Sequence, residues 1–257
     1  MKNNKHWLVP DWPAPANVHA ATTLRTGGVS QGIYASLNPA NHVDDDADRV
    51  WQNRQIIREM LDLPSEPIWL DQIHSNRVVK ATQSASLQQA DASYTDESGV
   101  VCAVLTADCL PLLVCSTDGA QVAAIHAGWR GLLAGVISNT VVAMQIPPNS
   151  PLCKRGGLGG DLLVWLGPAI GADCFEVGAE VRDAFLEKSA EFKIAFKKHS
   201  NDRWLADIYQ MARTELSSLG ITKVYGGSNC TVTDNERFYS YRRDTQTGRM
   251  ATLIWRE

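Results

Sequence analysis

The stretch that decides the fold runs Thr106-Ala107-Asp108-Cys109-Leu110-Pro111-Leu112-Leu113-Val114-Cys115-Ser116-Thr117-Asp118-Gly119-Ala120-Gln121-Val122-Ala123-Ala124-Ile125-His126. Two apolar runs, 110–115 and 121–125, flank Ser116-Thr117-Asp118-Gly119, a turn-forming tetrapeptide with glycine last. That pattern predicts an antiparallel hairpin. With pairing symmetric about the bond between Thr117 and Asp118, Cys109 stands opposite His126. Directly opposed residues have Cα atoms roughly 4.5–5.5 Å apart and side chains on one face. A thiolate and an imidazole so placed share one zinc ion or form a nucleophile–base pair. The expectation depends on register, because a slip of one residue sends the two to opposite faces.

Outward from the hairpin, short apolar runs at 77–81, 100–105, 162–166 and 252–255 predict further strands. Helical spacing marks 47–61 through Val50, Ile57 and Leu61, and 131–144 through Leu133, Val136, Ile137, Val141 and Met144. It also marks 202–219 through Leu205, Ile208, Tyr209, Ala212, Leu216 and Leu219. Neighbouring strands often lie too close in sequence for a helical crossover. The expected fold is therefore α+β, a single layered α/β domain over residues 1–257 with a mixed, largely antiparallel sheet. Residues 147–160, rich in proline and glycine, predict a long surface loop within it.

A net charge of −4 offers no basic face for nucleic acid, though it leaves room for a local basic pocket. No apolar run approaches the roughly 20 residues that span a bilayer. The first fifteen residues lack a secretory apolar stretch, so a cytoplasmic location is expected. Six cysteines (102, 109, 115, 153, 174, 230) are scattered without a Cys-x-x-Cys pair and read as free thiols. Cys102 and Cys115 fall in apolar runs and read as core; the role of Cys174 stays open. Nothing in the sequence bears on oligomeric state.

Trp69-Leu70-Asp71-Gln72-Ile73-His74-Ser75 supplies a third candidate ligand. A lone histidine among apolar residues is usually a packed core residue. Together, however, His74, Cys109 and His126 match a catalytic zinc site, with three protein ligands and one position for water or substrate. Ala127-Gly128-Trp129-Arg130-Gly131 leads from the hairpin into a helix whose first N–H groups suit an anion, with Arg130 adding a full charge. A tight turn without a ligand explains Gly128 and Gly131 equally. Asp44-Asp45-Asp46 with Asp48 reads as helix cap and first-turn acids rather than a calcium loop, since the loop glycine is missing and position 55 is Gln.

Ordered motifs run from Leu24-Arg25-Thr26-Gly27-Gly28-Val29-Ser30 through Gln72-Ile73-His74-Ser75, Ala90-Asp91-Ala92, Thr106-Ala107-Asp108-Cys109-Leu110-Pro111 and Ile125-His126-Ala127-Gly128-Trp129-Arg130-Gly131. They continue through Gly167-Pro168-Ala169-Ile170-Gly171, Phe175-Glu176-Val177-Gly178, Asn229-Cys230-Thr231, Phe238-Tyr239-Ser240-Tyr241-Arg242-Arg243-Asp244 and Thr247-Gly248-Arg249-Met250-Ala251. In these the chain resembles the YfiH-like family, known both as purine nucleoside phosphorylases and as multicopper polyphenol oxidases (laccases). The resemblance implies a zinc site at His74, Cys109 and His126. It also implies phosphorolysis of adenosine, inosine, guanosine and methylthioadenosine, deamination of adenosine, and a layered fold similar to a bacterial toxin cysteine deamidase. Pro39 and Ala40 stand where the family has Leu and Gly, a departure that loosens the match at His42.

For such chemistry Asp108 is the candidate proton carrier. Arg25, Arg130, Arg242 and Arg243 are candidate phosphate partners, because guanidinium binds phosphate bidentately. Phe175, Tyr239 and Tyr241 are candidates to stack on a purine. Two rival readings use the same residues. A copper-dependent polyphenol oxidase would need many more histidines than the six present, although copper at the same three ligands stays open. A Cys–His hydrolase or amidase acting on cell-wall precursors would use Cys109 and His126 without metal.

Overall fold

The computed structural model describes residues 6–83, 87–144 and 162–257; the loop expected over 147–160, with Cys153, lies outside them. Every residue of Leu110–Ser116 and Val122–Ala127 is buried. Both strands are central in a sheet covered on both faces, which is why their sequences read as continuous apolar runs. That sheet has six strands in the order Val224–Gly226, Leu162–Leu166, Leu110–Ser116, Val122–Ala127, Ala92–Thr95, Val78–Lys80. Its two outer pairings are parallel and its three inner ones antiparallel. A wholly antiparallel four-stranded sheet runs Trp7–Leu8, Val18–Thr23, Met250–Arg256, Cys102–Thr106. Glu176–Gly178, Arg203–Ala206 and Phe196–Ser200 form a smaller sheet, and Leu70–Asp71 pairs with Gln88–Gln89. The α+β class and the mixed, largely antiparallel pairing are as expected; the strands divide among several sheets instead of one.

The two large sheets pack face to face. Leu113, Cys115, Val122 and Ala124 of one share a core with Cys102, Val104 and Ile254 of the other. Alternate residues Leu112, Val114, Ala123 and Ile125 pack outward with Ile137, Val141, Phe185, Ile208 and Ala212 from three helices. On the far side, Ala103, Leu105 and Leu253 pack with Leu37 and Ile57. The result is four layers: helix, sheet, sheet, helices.

The helix Ala47–Met60 is capped by Asp46, which accepts from the Arg49 N–H, and Asp48 sits in its first turn, as the acidic run predicts. The helix expected over 131–144 breaks at Gly135, whose φ of 87° is left-handed, into Trp129–Ala134 and Val136–Ala143. Both pieces face the same core, so the apolar spacing runs through the break. Of the stretch 202–219, Arg203–Ala206 is strand; the helix Ile208–Ser218 begins behind Asp207, which caps the Gln210 N–H.

The hairpin forms, but Pro111, not Cys109, pairs with His126, and Leu110 pairs with Ala127. The loop sets this register. The Ser116 N–H donates to the Gln121 carbonyl at 3.0 Å, and Gly119 turns back on the Ser116 carbonyl at 2.9 Å with φ of 70°. The Asp118 carboxylate ties the Ser116 hydroxyl and the Ala120 N–H. The turn thus centres between Asp118 and Gly119. The shift relative to expectation is two residues along the partner strand, so face parity is kept and Cys109 and His126 still share a face.

Candidate metal centre

One ligand atom from each of His74, Cys109 and His126 lies within 4.8 Å of the others. The two imidazoles meet edge to face with centroids 4.8 Å apart. The corrected register puts Gly128 next to Cys109, and the fit there is informative. A Cβ on Gly128 would approach His74 Nδ1 to 2.9 Å and Cys109 Sγ to 3.1 Å. Glycine therefore keeps clear the space beside two donor atoms, and an N, S, N donor set suits a borderline-soft ion such as zinc or copper. Gly128→Ala is expected to weaken metal binding by about tenfold, as displaced ligand shells do. Competition with a chromophoric chelator measures it; unchanged affinity would contradict the crowding.

A buried carboxylate organises the donors. Asp91 is 0% exposed and accepts from His126 Nδ1 at 2.8 Å. A carboxylate accepts, so Nδ1 carries a proton and Nε2 is the nitrogen that would bind an ion once its own proton leaves. The same carboxylate accepts from the His74 N–H at 3.0 Å, the Ser75 N–H at 2.6 Å and the Ser75 hydroxyl at 2.7 Å. Gln72 fixes the loop from the other side: its amide donates to the Leu105 carbonyl at 2.8 Å and accepts from the Leu105 N–H at 2.7 Å. These bonds hold His74 at φ of 58°, a left-handed conformation that costs on the order of 1 kcal/mol in a non-glycine residue. Asp108, beside Cys109, is likewise left-handed at φ of 90°.

Burial alone would lower the His126 pKa, but the charge on Cys109 and the hydrogen bond to Asp91 overcome it and push it up to about 9. Burial, then repulsion from His126, lowers His74 and favours its neutral, ligating form. Asp91 stays below the usual carboxylate range: burial opposes its charge, and the bonds from His126 and Ser75 outweigh that. The raised His126 pKa stabilises the metal-free fold below pH 6.5, and that contribution disappears as pH rises through about 9. The metal-free protein is therefore expected to melt lower at pH 9 than at 6.5, while metal affinity climbs over the same window because the ion displaces this proton. Thermal melts and metal titrations across that range check both; two flat profiles would contradict the assignment.

The centre opens on a cavity of about 490 Å³. Asp108, Arg130 and Arg242 line it, with Phe175 and Tyr241. Asp108 accepts from the Thr231 hydroxyl at 2.5 Å and the Arg242 N–H at 2.6 Å. Arg130 stacks over Trp129, and Arg242 lies over Phe175 while donating to the Glu176 carbonyl. Arg25, Arg243 and Tyr239 are not brought to the cavity. Arg25 donates to the Ala35 and Asn235 carbonyls. Arg243 clamps the carbonyls of Thr231, Val232 and Phe238. Tyr239 is buried, its hydroxyl on the Tyr34 carbonyl. Residues not singled out from the sequence include Arg249, a half-buried guanidinium on the cavity wall held by the Thr247 and Gly248 carbonyls. His42 also lines the wall despite the departures at Pro39 and Ala40.

Among the described residues, no helix is long and apolar enough to cross a membrane, and Cys102, Cys109, Cys115, Cys174 and Cys230 are free thiols. A Pseudomonas aeruginosa protein named purine nucleoside phosphorylase is 52% identical over 250 residues, covering 97% of this chain and 98% of its own. Escherichia coli YfiH, also named purine nucleoside phosphorylase, is 48% identical over 249 residues, covering 96% and 98%. A solved structure from Neisseria meningitidis matches with a TM-score of 0.90 at 48% identity, covering 98% of this chain and 100% of that one. YlmD from Geobacillus stearothermophilus matches at 0.90 with 30% identity, covering 100% and 98%. The model of the family described as multi-copper polyphenol oxidoreductase laccase spans residues 19–257, and with these full-length relatives it shows that the chain belongs to that family, the one that includes YfiH.

Proposed function

We propose that this chain is a zinc-dependent purine nucleoside phosphorylase, acting on adenosine, inosine, guanosine and methylthioadenosine, that also deaminates adenosine. The observation that carries the reading is the His74–Cys109–His126 cluster opening on a cavity of nucleoside size whose wall bears Arg130, Arg242 and Arg249. The names of the relatives supply the reaction class. A bound zinc ion would supply a Lewis acid and make water acidic near neutral pH.

The chain's own residues do the rest. The three guanidinium groups hold phosphate, whose oxygen attacks the ribose C1′ as the bond to the purine breaks. Tyr241, exposed on the cavity wall, offers a face for the base; Phe175 is buried and already carries Arg242. Asp108 is the proposed proton carrier: both its oxygens already accept one hydrogen bond, and each keeps a second lone pair. In deamination it would take a proton from the attacking water and return it to the leaving ammonia. Adenosine incubated with and without phosphate, followed by chromatography, tests the reading. Phosphate-dependent adenine and phosphate-independent inosine are expected; neither product would overturn it.

The closeness of Cys109 to His126, with their ligand atoms within 4.8 Å, favours a second reading, a metal-free Cys–His hydrolase. In that case thiol alkylation would abolish activity and metal removal would not. The family description names copper, which the same ligands would also take; a blue-copper absorption band would reveal it.

A further inference from the structure

We propose that Cys174 and Cys230 form a peroxide-reactive dithiol that closes to a disulfide beside the cavity. An isolated parallel bridge lays Cys230 alongside Ala169. The Gly171 N–H then donates to Cys230 Sγ at 3.2 Å. A Cβ on Gly171 would stand 3.0 Å from that sulfur, so glycine admits it. The Cys174 N–H turns back on the Gly171 carbonyl at 3.0 Å, so both cysteines are tied to Gly171, one through its carbonyl and the other through its N–H. Both are partly exposed, unlike the buried Cys102 and Cys115, whose thiols burial pushes up to about 12.

The two sulfurs are unequal. Burial opposes charge on Cys230, but the Thr233 side chain and the N–H groups of Thr233, Gly171 and Val232 outweigh it and hold its pKa below the ordinary value. Burial and the neighbouring Cys230 raise Cys174. Cys230 is therefore the attacking thiolate and Cys174 the resolving thiol. Attack of Cys230 on a peroxide oxygen breaks the O–O bond, forms a sulfenic acid and releases water. Attack of Cys174 on that sulfur forms the S–S bond; its proton leaves with the hydroxyl as a second water. Two thiols lose two electrons, and one peroxide gains them.

The pair sits between functional neighbours: Phe175 lines the cavity, and Thr231 holds Asp108. The test treats reduced, full-length protein with stoichiometric hydrogen peroxide, then alkylates and digests it. The expected result is a loss of about 2 Da, a peptide joining Cys174 to Cys230, and reversal by dithiothreitol. Cys230 should lose alkylation at least about tenfold faster than Cys102 or Cys115. In Cys174→Ser, dimedone should label Cys230. A wild-type pair still open to alkylation, a crosslink to another cysteine such as Cys109, or dimedone absent from Cys230 would each overturn the proposal.

Discussion

Replacing Cys109 with alanine is expected to strip the metal and lower phosphorolysis by at least about a hundredfold, the scale on which loss of a ligand or its support acts. The substitution removes the sulfur donor and leaves two imidazoles, too few to close a three-ligand site. It also removes the charge that does most to raise His126, whose pKa should fall from about 9 toward the ordinary range. Cys109 is half-buried in the bend just before the strand Leu110–Ser116, so the fold should lose no more than about 2 kcal/mol. Metal content and turnover on the same preparation, with a melt as folding control, measure this. Wild-type turnover in a folded, metal-free variant would contradict the metal role.

Asp91→Ala is expected to be the most damaging change in stability. Its buried carboxylate satisfies the buried His126 Nδ1 and, at the edge of the cavity, the part-buried His74 and Ser75 N–H groups and the Ser75 hydroxyl. Breaking the buried pair with His126 by removing one partner costs about 3–5 kcal/mol, and a loss of that size is expected. The left-handed His74 would lose the bonds that hold it, and His126 its fixed tautomer. Metal affinity should therefore drop by a further 10- to 100-fold in whatever fraction folds, as measured by denaturant melts and chelator competition, the range typical of lost outer-shell partners. A loss under about 1 kcal/mol with unchanged affinity would contradict this account of Asp91.

Much of the centre is legible in the sequence because its ligands sit at the ends of strongly patterned elements. The hairpin is announced by two apolar runs and a turn, and a two-residue error in register leaves Cys109 and His126 on one face. A one-residue error would not. What stays hidden are contacts between segments distant in sequence. Asp91 lies between two alanines in a polar stretch, and nothing nearby tells that residues 73–75 and 126 converge on it; the signal available is its place in the motif Ala90-Asp91-Ala92. Four arginines look equivalent as phosphate partners. The fold uses Arg25 and Arg243 to clamp carbonyls, leaves Arg130 and Arg242 on the cavity, and adds Arg249 from the start of the last strand. Gly135 breaks a helix whose apolar spacing is uninterrupted, because the chain turns while its buried face does not.

X-ray absorption at the metal edge of protein purified without chelators tests the ligand set most directly. One equivalent of zinc is predicted, with a single sulfur at about 2.3 Å and two imidazole nitrogens at about 2.0–2.1 Å. A spectrum without sulfur in the coordination shell, or protein that retains phosphorolysis while holding no stoichiometric metal, would contradict it.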